Sequence, residues 1–367
     1  MACYHAVPSV LITNLKTGKR RVIYDYRSSN VWQASFFDPE NFSIEYINLP
    51  CNKCIGCYLQ RSLDWSCRIC CEKHTREYLH NNPYSSFITL TYDNENLPKD
   101  QSVSPLELQS FMKRLREFYS RYFGVKDIKF FACGEYGEQF HRPHYHIIVL
   151  GLDFFEVNRL KLIKDKKSNK ILSKLESANP RYLEAPQMNS ASTFDSPILS
   201  RLWNKGRVAI GSVTPQSVAY TARYCCKKLV LNYTKVDNKH ILIERDGQDC
   251  SVHPEFIRMS KRFGLEFFEK YYRDIYVNNE VSVGFKDFAH IPRYFDKQLE
   301  NLDNELYQNV KSSRLEYMAS ERFLKDNTPL RLEAKEHIKL VAMETRLLRN
   351  YERSGDFFQE VERNLIS

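Results

Sequence analysis

The stretch Phe130 to Gly151, FFACGEYGEQFHRPHYHIIVLG, constrains the chain more than any other. It contains two apolar runs of strand type, IKFFACGE and PHYHIIVLG, joined by a Gly-containing turn. Side chains alternate faces along a strand with a rise of about 3.3 Å per residue, so His144 and His146 point the same way. If the two runs pair as neighbours, Glu135 comes beside both imidazoles. Two neutral histidines and one carboxylate with coordination positions left over describe a working metal site rather than a closed structural one. His141, in the turn, stands outside the pair and is not assigned as a ligand.

The flanking segments predict an α+β layer. SSFITLTYD, from Ser85, is β-rich and apolar and reads as a central strand. PLELQSFMKRLREFYSRYF, 105 to 123, reads as an amphipathic helix with Leu106, Leu108, Phe111, Met112, Leu115 and Phe118 on its apolar side. Strand, helix, then two strands place helices against one sheet. The segment 155–196 is polar and reads as an insertion or mobile loop, followed by a Gly-bracketed strand at 207–213. Next, Thr214 suits a helix N-cap with Pro215 at the first helical position. In that helix Tyr220 and Tyr224 are i and i+4, so both phenols share one face about 6 Å apart along the axis. Arg223, Lys227 and Lys228 flank it. KHILIE reads as extended, a helix begins near 263, and the C-terminal part is helical by periodicity, with Pro329 opening the last long helix.

The N-terminal part carries a second signal. Short extended segments, RRVIYDY and FSIEYINL, precede a helix from Leu59 to about His80. Between them Cys51, Cys54 and Cys57 form C-x-x-C-x-x-C, which lets three thiolates wrap one ion. Zinc wants a fourth ligand. Cys3 is preferred, with His5, Cys67, Cys70 and His74 as alternatives. The same spacing opens one iron–sulfur motif, but the Cys-Pro that should follow is missing. Eleven cysteines, an odd and clustered count without a secretion signal, fit free thiols and metal binding better than a disulfide framework. The expected organisation is a cysteine-rich region over 1–84, a core over 85–232, a core extension over 233–295 and a helical tail over 296–367.

Composition narrows the function classes. A net charge of +9 favours polyanionic partners without demanding them. No apolar run approaches the length of a membrane span, so no membrane partner is expected. There is no G-x-x-x-x-G-K-[ST] loop, so nucleotide-driven unwinding is not expected of the chain. A histidine-triad hydrolase needs a third alternate histidine where Ile148 stands.

Glu135, H-Y-H at 144–146 and Y-T-A-R-Y-C-C-K at 220–227 together resemble the HUH endonucleases, and the two-tyrosine motif is similar to the branch serving small circular single-stranded phages. MACYH, CNKCIGCYLQRSLDW, GEYG with HRPHYH, SPILSRLWNKGRVAIGSVTPQSVAYTARYCCKK and EFIRMSKRFG look like the replication initiation proteins of gokushovirus-type microviruses, over roughly 1 to 300. The resemblance implies a central antiparallel sheet of HUH type with flanking helices. It implies an ion, Mg2+ or Mn2+, held by Glu135, His144 and His146, and possibly a structural Zn2+ on Cys3, Cys51, Cys54 and Cys57. Tyr220 and Tyr224 would be nucleophiles assisted by Lys227. The reaction would nick single-stranded origin DNA, leaving a 5′-phosphotyrosine link and a free 3′-OH, and rejoin ends without ATP. Host helicase and polymerase would be partners in the host bacterial cytoplasm. A plasmid relaxase or single-strand transposase of the same superfamily is the alternative within it. A non-catalytic, zinc-stabilised DNA-binding protein is the alternative outside it.

Overall fold

The computed structural model describes residues 3–28, 37–137, 141–154, 187–190, 193–214, 217–222, 240–245, 248–284 and 287–345. They divide between two compact units, one formed by Met1–Arg61 with Glu316–Asn350 and one by Ser62–Leu315 with Tyr351–Ser367. The smaller unit holds a three-stranded sheet of β1 (Val7–Asn14), β2 (Arg20–Ile23) and β3 (Phe42–Leu49), in the order β2-β1-β3.

The larger unit is built on seven strands: β4 (Ser85–Tyr92), β5 (Lys129–Tyr136), β6 (Pro143–Leu150), β7 (Gln187–Ser190), β8 (Thr193–Asp195), β9 (Gly206–Gly211) and β12 (Phe256–Met259). They form one sheet in the order β12-β5-β6-β4-β9-β8-β7. Every pairing in it is antiparallel. Between β9 and β12, β10 (Ile241–Arg245) and β11 (Gln248–Val252) pair with each other as a separate hairpin. Alternation along the central strands makes two faces. Ile88, Leu90, Ala132, Tyr145, Ile147, Val149, Val208 and Ile210 pack on one face with α2 (Pro105–Phe123) and Trp203. Phe131, Ile148 and Leu150 pack on the other with Val213, Val218, Phe263 and Ile69 of α1 (Ile55–His74). Both faces of the central strands are therefore covered over most of their length, which explains why these strands read as near-continuous apolar runs.

Local chemistry sets the boundaries of α2. Ser104 is the N-cap and accepts from the Glu107 amide, Pro105 fills the first turn, and Gly124 ends the helix at φ 72. Leu108, Phe111, Met112, Leu115, Phe118 and Tyr119 are buried. Leu106, expected on that apolar side, is 72% exposed. Two residues before Leu108 is a rotation of about 200° on a helix, so it faces water.

Buried hydroxyls tie the α2 face of the sheet to the start of this helix. Tyr145 Oη lies 2.9 Å from Tyr92 Oη and accepts from the Ser104 amide at 2.8 Å. Tyr136 Oη accepts from the Val103 amide at 3.1 Å and donates to the His253 carbonyl at 2.6 Å.

The stretch expected as an insertion over 155–196 ends differently. Residues 187–190 and 193–195 form the edge strands β7 and β8, and Ser196 caps a helix over Pro197–Trp203. A short polar edge strand lacks the apolar signature by which central strands are recognised. Residues 155–186 lie outside the described residues. The strand β12, in the segment EFIRMSK, carries no alternation readable in sequence. It pairs with β5 through Phe256↔Gly134, where the phenylalanine ring fills the space a Cβ would need.

Helices follow toward the C-terminus, Arg293–Leu302, Asn304–Ala319 and Glu321–Asp326, with residues 329–345 also helical. The architecture is thus α+β, a central antiparallel sheet with flanking helices, a cysteine cluster near the N-terminus and a helical C-terminal region. Among the described residues no helix is long and apolar enough to cross a membrane.

Candidate metal centre and nucleophile

Register brings the acidic residue to the histidines. β5 and β6 pair with Glu135 opposite His144 and Cys133 opposite His146. β6 and β4 pair with His146 opposite Thr89 and His144 opposite Thr91. Directly opposed residues share a face, so Glu135, His144 and His146 lie together on the face that carries Phe131 and Ile148, toward the end of the strands. Glu135 Oε1 is 2.6 Å from His144 Nε2 and 3.0 Å from His146 Nε2. The three ligand atoms lie within 4.8 Å of one another.

The neighbours orient both rings. His144 Nδ1 is 3.0 Å from the Arg142 carbonyl, which can only accept, so Nδ1 carries a proton and Nε2 is the nitrogen turned toward Glu135. His146 Nδ1 meets Thr89 Oγ1 at 2.9 Å, and Phe87 stacks on the same imidazole at 5.4 Å and 14°. Ligating histidines generally have their second nitrogen engaged in this way, which fixes tautomer and ring plane. Glu135 is 1% exposed. Burial by itself would raise its carboxyl, but the His144 and His146 imidazoles outweigh this and hold it below the usual carboxylate range. An anionic oxygen and two imidazole nitrogens converging at this spacing fit a divalent cation with open positions left for another ligand.

Tyr220 stands beside the centre. It lies in a helical turn over 217–222, begun by Thr214, whose Oγ1 accepts from the Ser217 amide while the Ser217 hydroxyl accepts from the Thr214 amide. Val218, Thr221 and Ala222 are buried, and Tyr220 is 39% exposed. Its ring is 5.4 Å from the His146 ring and 6.5 Å from Phe87, edge-on to both. Tyr224 and Lys227 lie outside the described residues. His141, at φ 47 in the turn before β6, is not part of the cluster.

Reasoning from sequence missed Phe87, Thr89 and Arg207. The signal for the first two was the alternation F-I-T-L-T, which turns Phe87, Thr89 and Thr91 away from the Ile88 and Leu90 side. Which face received the histidines was not readable until register was known. Arg207 pairs with Thr91, which pairs with His144 on its other side. This exposed cation therefore sits two strands from His144, about 10 Å between backbones.

Cys3, Cys51, Cys54 and Cys57 form a second group whose sulfurs also lie within 4.8 Å of one another. All four are free thiols, three of them buried. Burial pushes the Cys3 and Cys57 thiols up. Cys51 is held at about 7, because amide donors from Lys53 and Cys54 outweigh its own burial. Of the alternatives for a fourth ligand, His5 pairs with Glu336 at 2.6 Å. Cys67, Cys70 and His74 lie on the part of α1 that belongs to the larger unit.

Residues 85–229 match a family model of replication-associated proteins of the ORF2 type. The chain is 30% identical over 329 residues to the replication-associated protein ORF2 of Spiroplasma virus 4, covering 87% of each chain. It is 30% identical over 258 residues to the replication-associated protein ORF4 of Chlamydia phage 1, covering 70% of this chain and 55% of that one. It is 26% identical over 252 residues to the replication-associated protein VP4 of Bdellovibrio phage phiMH2K, covering 67% and 65%. No solved structure matches.

Proposed function

The chain belongs to the family of microviral replication-associated proteins, and from that premise we propose that it is the tyrosine-dependent nickase that initiates rolling-circle replication. The observation that carries the reading is the meeting of a buried Glu135–His144–His146 group with the exposed phenol of Tyr220, its ring 5.4 Å from that of His146. A metal-free binding protein has no use for a phenol held edge-on to such a group.

The substrate is single-stranded DNA at the origin. The Tyr220 oxygen attacks a backbone phosphorus, its bond to phosphorus forms, and the bond from phosphorus to the 3′ oxygen breaks. The leaving 3′ oxygen takes up a proton. The 5′ phosphate remains esterified to the tyrosine. The reverse attack by a 3′-OH restores the phosphodiester and frees the phenol, so rejoining consumes no nucleotide. A free phenol is only about 0.1% ionised at neutral pH, and a cation such as Lys227 on the same helix favours the phenolate. A Mg2+ or Mn2+ ion bound by Glu135, His144 and His146 would supply positive charge to the non-bridging phosphate oxygens as charge builds in the transition state. Arg207 offers a further cation for the DNA backbone. Tyr224, one turn beyond Tyr220, would take the next strand while the first end is still held, which permits successive rounds and release of single-stranded circles. The free 3′-OH is extended by a host polymerase, and a host helicase supplies the unwinding.

The test is covalent capture. Wild type with an origin-containing single-stranded oligonucleotide and Mn2+ should give a protein–DNA band that resists denaturation and disappears with chelator. Tyr220→Phe and Tyr224→Phe should each reduce it and the double variant abolish it. An adduct that survives the double substitution, or none with any divalent ion, rejects the reading. The non-catalytic DNA-binding alternative expects the double variant to keep every DNA-linked property.

A further inference from the structure

The four-cysteine group does not enter the DNA chemistry, yet it is a built site. We infer that Cys3, Cys51, Cys54 and Cys57 hold one Zn2+ as a closed tetrathiolate centre that fastens residues 3–5 to the loop before α1 and supplies much of the smaller unit's stability.

Geometry carries the assignment. A tetrahedral zinc with bonds of about 2.3 Å has its sulfurs about 3.8 Å apart. Cys51 Sγ and Cys57 Sγ stand 3.9 Å apart, and no pair among the four exceeds 4.8 Å. The separation is far beyond a disulfide, and all four are free. The loop is folded to hold anionic sulfur. Asn52 takes a left-handed conformation at φ 60, with its side-chain amide on the Pro50 carbonyl. Four backbone amides then point at sulfur: Cys51 to Cys3 at 3.3 Å, Lys53 and Cys54 to Cys51 at 3.4 and 3.3 Å, and Tyr4 to Cys54 at 3.5 Å. Cys54 and Cys57 flank the N-terminal end of α1, where unpaired amides favour thiolate. Each thiol that joins the ion gives its proton to solvent, so four sulfur donors fill the coordination shell and leave no position for substrate.

The surrounding unit needs such a staple. In the stretch Met1–Arg61 the buried apolar side chains, among the described residues, are Cys3, Val10, Ile12, Cys54, Ile55 and Cys57, and residues 316–345 add none. Half of this small core is therefore sulfur. A unit with so few buried aliphatic groups commonly relies on a metal or cross-links. Here cross-links are absent among these four thiols. The two centres also differ in kind: all-sulfur donors select a soft or borderline ion, whereas the imidazole–carboxylate set accepts Mg2+ or Mn2+.

The test uses the full chain purified under reducing conditions without added metal. Elemental analysis should find one zinc per chain, and Co2+ exchange should give the intense thiolate-to-cobalt absorption of a tetrahedral sulfur site. Cys51→Ser and Cys57→Ser should lose that zinc, while His144→Ala should keep it, which separates this centre from the proposed nicking site. Where a serine variant does not fold, thiol titration of wild type decides the matter. Four cysteines should be protected until a strong zinc chelator is added, and proteolysis should then cut first within residues 1–61. Zinc absent from a protein with intact thiols, zinc retained by both serine variants, iron that zinc does not displace, or equal thiol reactivity with and without chelator would each overturn the assignment.

Discussion

Replacing Glu135 by glutamine isolates the charge at the candidate metal centre. Glutamine keeps the shape and one acceptor oxygen, so the contacts at 2.6 and 3.0 Å to His144 and His146 can persist in the ion-free protein. What is lost is the sole anionic donor of the three. Outer partners of metal ligands already cost 10–100-fold in affinity when removed. A direct anionic ligand should therefore cost at least ~100-fold, or about 2.7 kcal/mol. The loss can be read without DNA. An ion present at 100 times its Kd stabilises the wild type by about 2.7 kcal/mol through mass action. At the same concentration a variant with a 100-fold weaker site gains only ~0.4 kcal/mol. For a folded unit of roughly 250 residues, 1 kcal/mol moves Tm by about 2–4 °C. Mn2+ should thus raise the wild-type melting temperature by about 5–10 °C and that of Glu135→Gln by no more than ~2 °C. The assay is a thermal melt across a Mn2+ titration, with calorimetric titration as a check. Equal Mn2+-induced shifts in the two proteins would refute the argument that these three side chains are one ion site.

Thr89→Val removes the group that holds His146 Nδ1 at 2.9 Å but leaves all three ligands; Mn2+ affinity by calorimetry should fall about 10-fold or more, whereas an unchanged Kd would deny Thr89 an orienting role. Arg207→Ala should weaken single-stranded DNA binding alike for origin and unrelated sequences and lower the slope of log K against log salt by about 1, measured by fluorescence anisotropy; an unaltered slope would place Arg207 off the DNA path. His74 is packed among the rings of Tyr78, Phe267 and Tyr271, and burial holds its pKa below the ordinary value, with Glu77 raising it and Lys270 lowering it. The unfolded chain therefore takes up this proton first, so His74 costs nothing above pH ~6.5 and destabilises the fold as pH falls through that value. Urea midpoints at pH 7.5 and 5.5 should accordingly differ less in His74→Gln than in wild type, and an identical difference in both would remove this contribution.

The ligands of the metal centre were legible because two local regularities coincide there. Alternation placed His144 and His146 on one face, and a short turn forced β5 to pair with β6. The helix α2 was legible because cap, proline and glycine all punctuate its ends; one misplaced leucine, Leu106, shows how a run of apolar letters overstates an apolar face. The cysteine spacing likewise announced three thiols in one loop. What sequence could not supply was distance across the chain. Thr89 reaches His146 only through the β4–β6 register, and β12 joins the sheet from more than a hundred residues away. Edge strands such as β7 and β8, four and three residues long, are too short to leave a periodic trace. Cys3 stands 48 residues before Cys51, and only the folded loop distinguishes it from the other candidate fourth ligands.

The residue between the two imidazoles has a consequence for how such a protein can change. Tyr145 points the opposite way from its neighbours, and its hydroxyl is locked to Tyr92 and to the cap of α2. The spacing of His144 and His146 is thus braced from the rear of the sheet, by groups that no DNA strand touches. Surface residues on the front can be exchanged as a viral origin drifts, while the grip on the ion stays calibrated by hardware on the other side. Recognition and chemistry in this fold can evolve at separate rates.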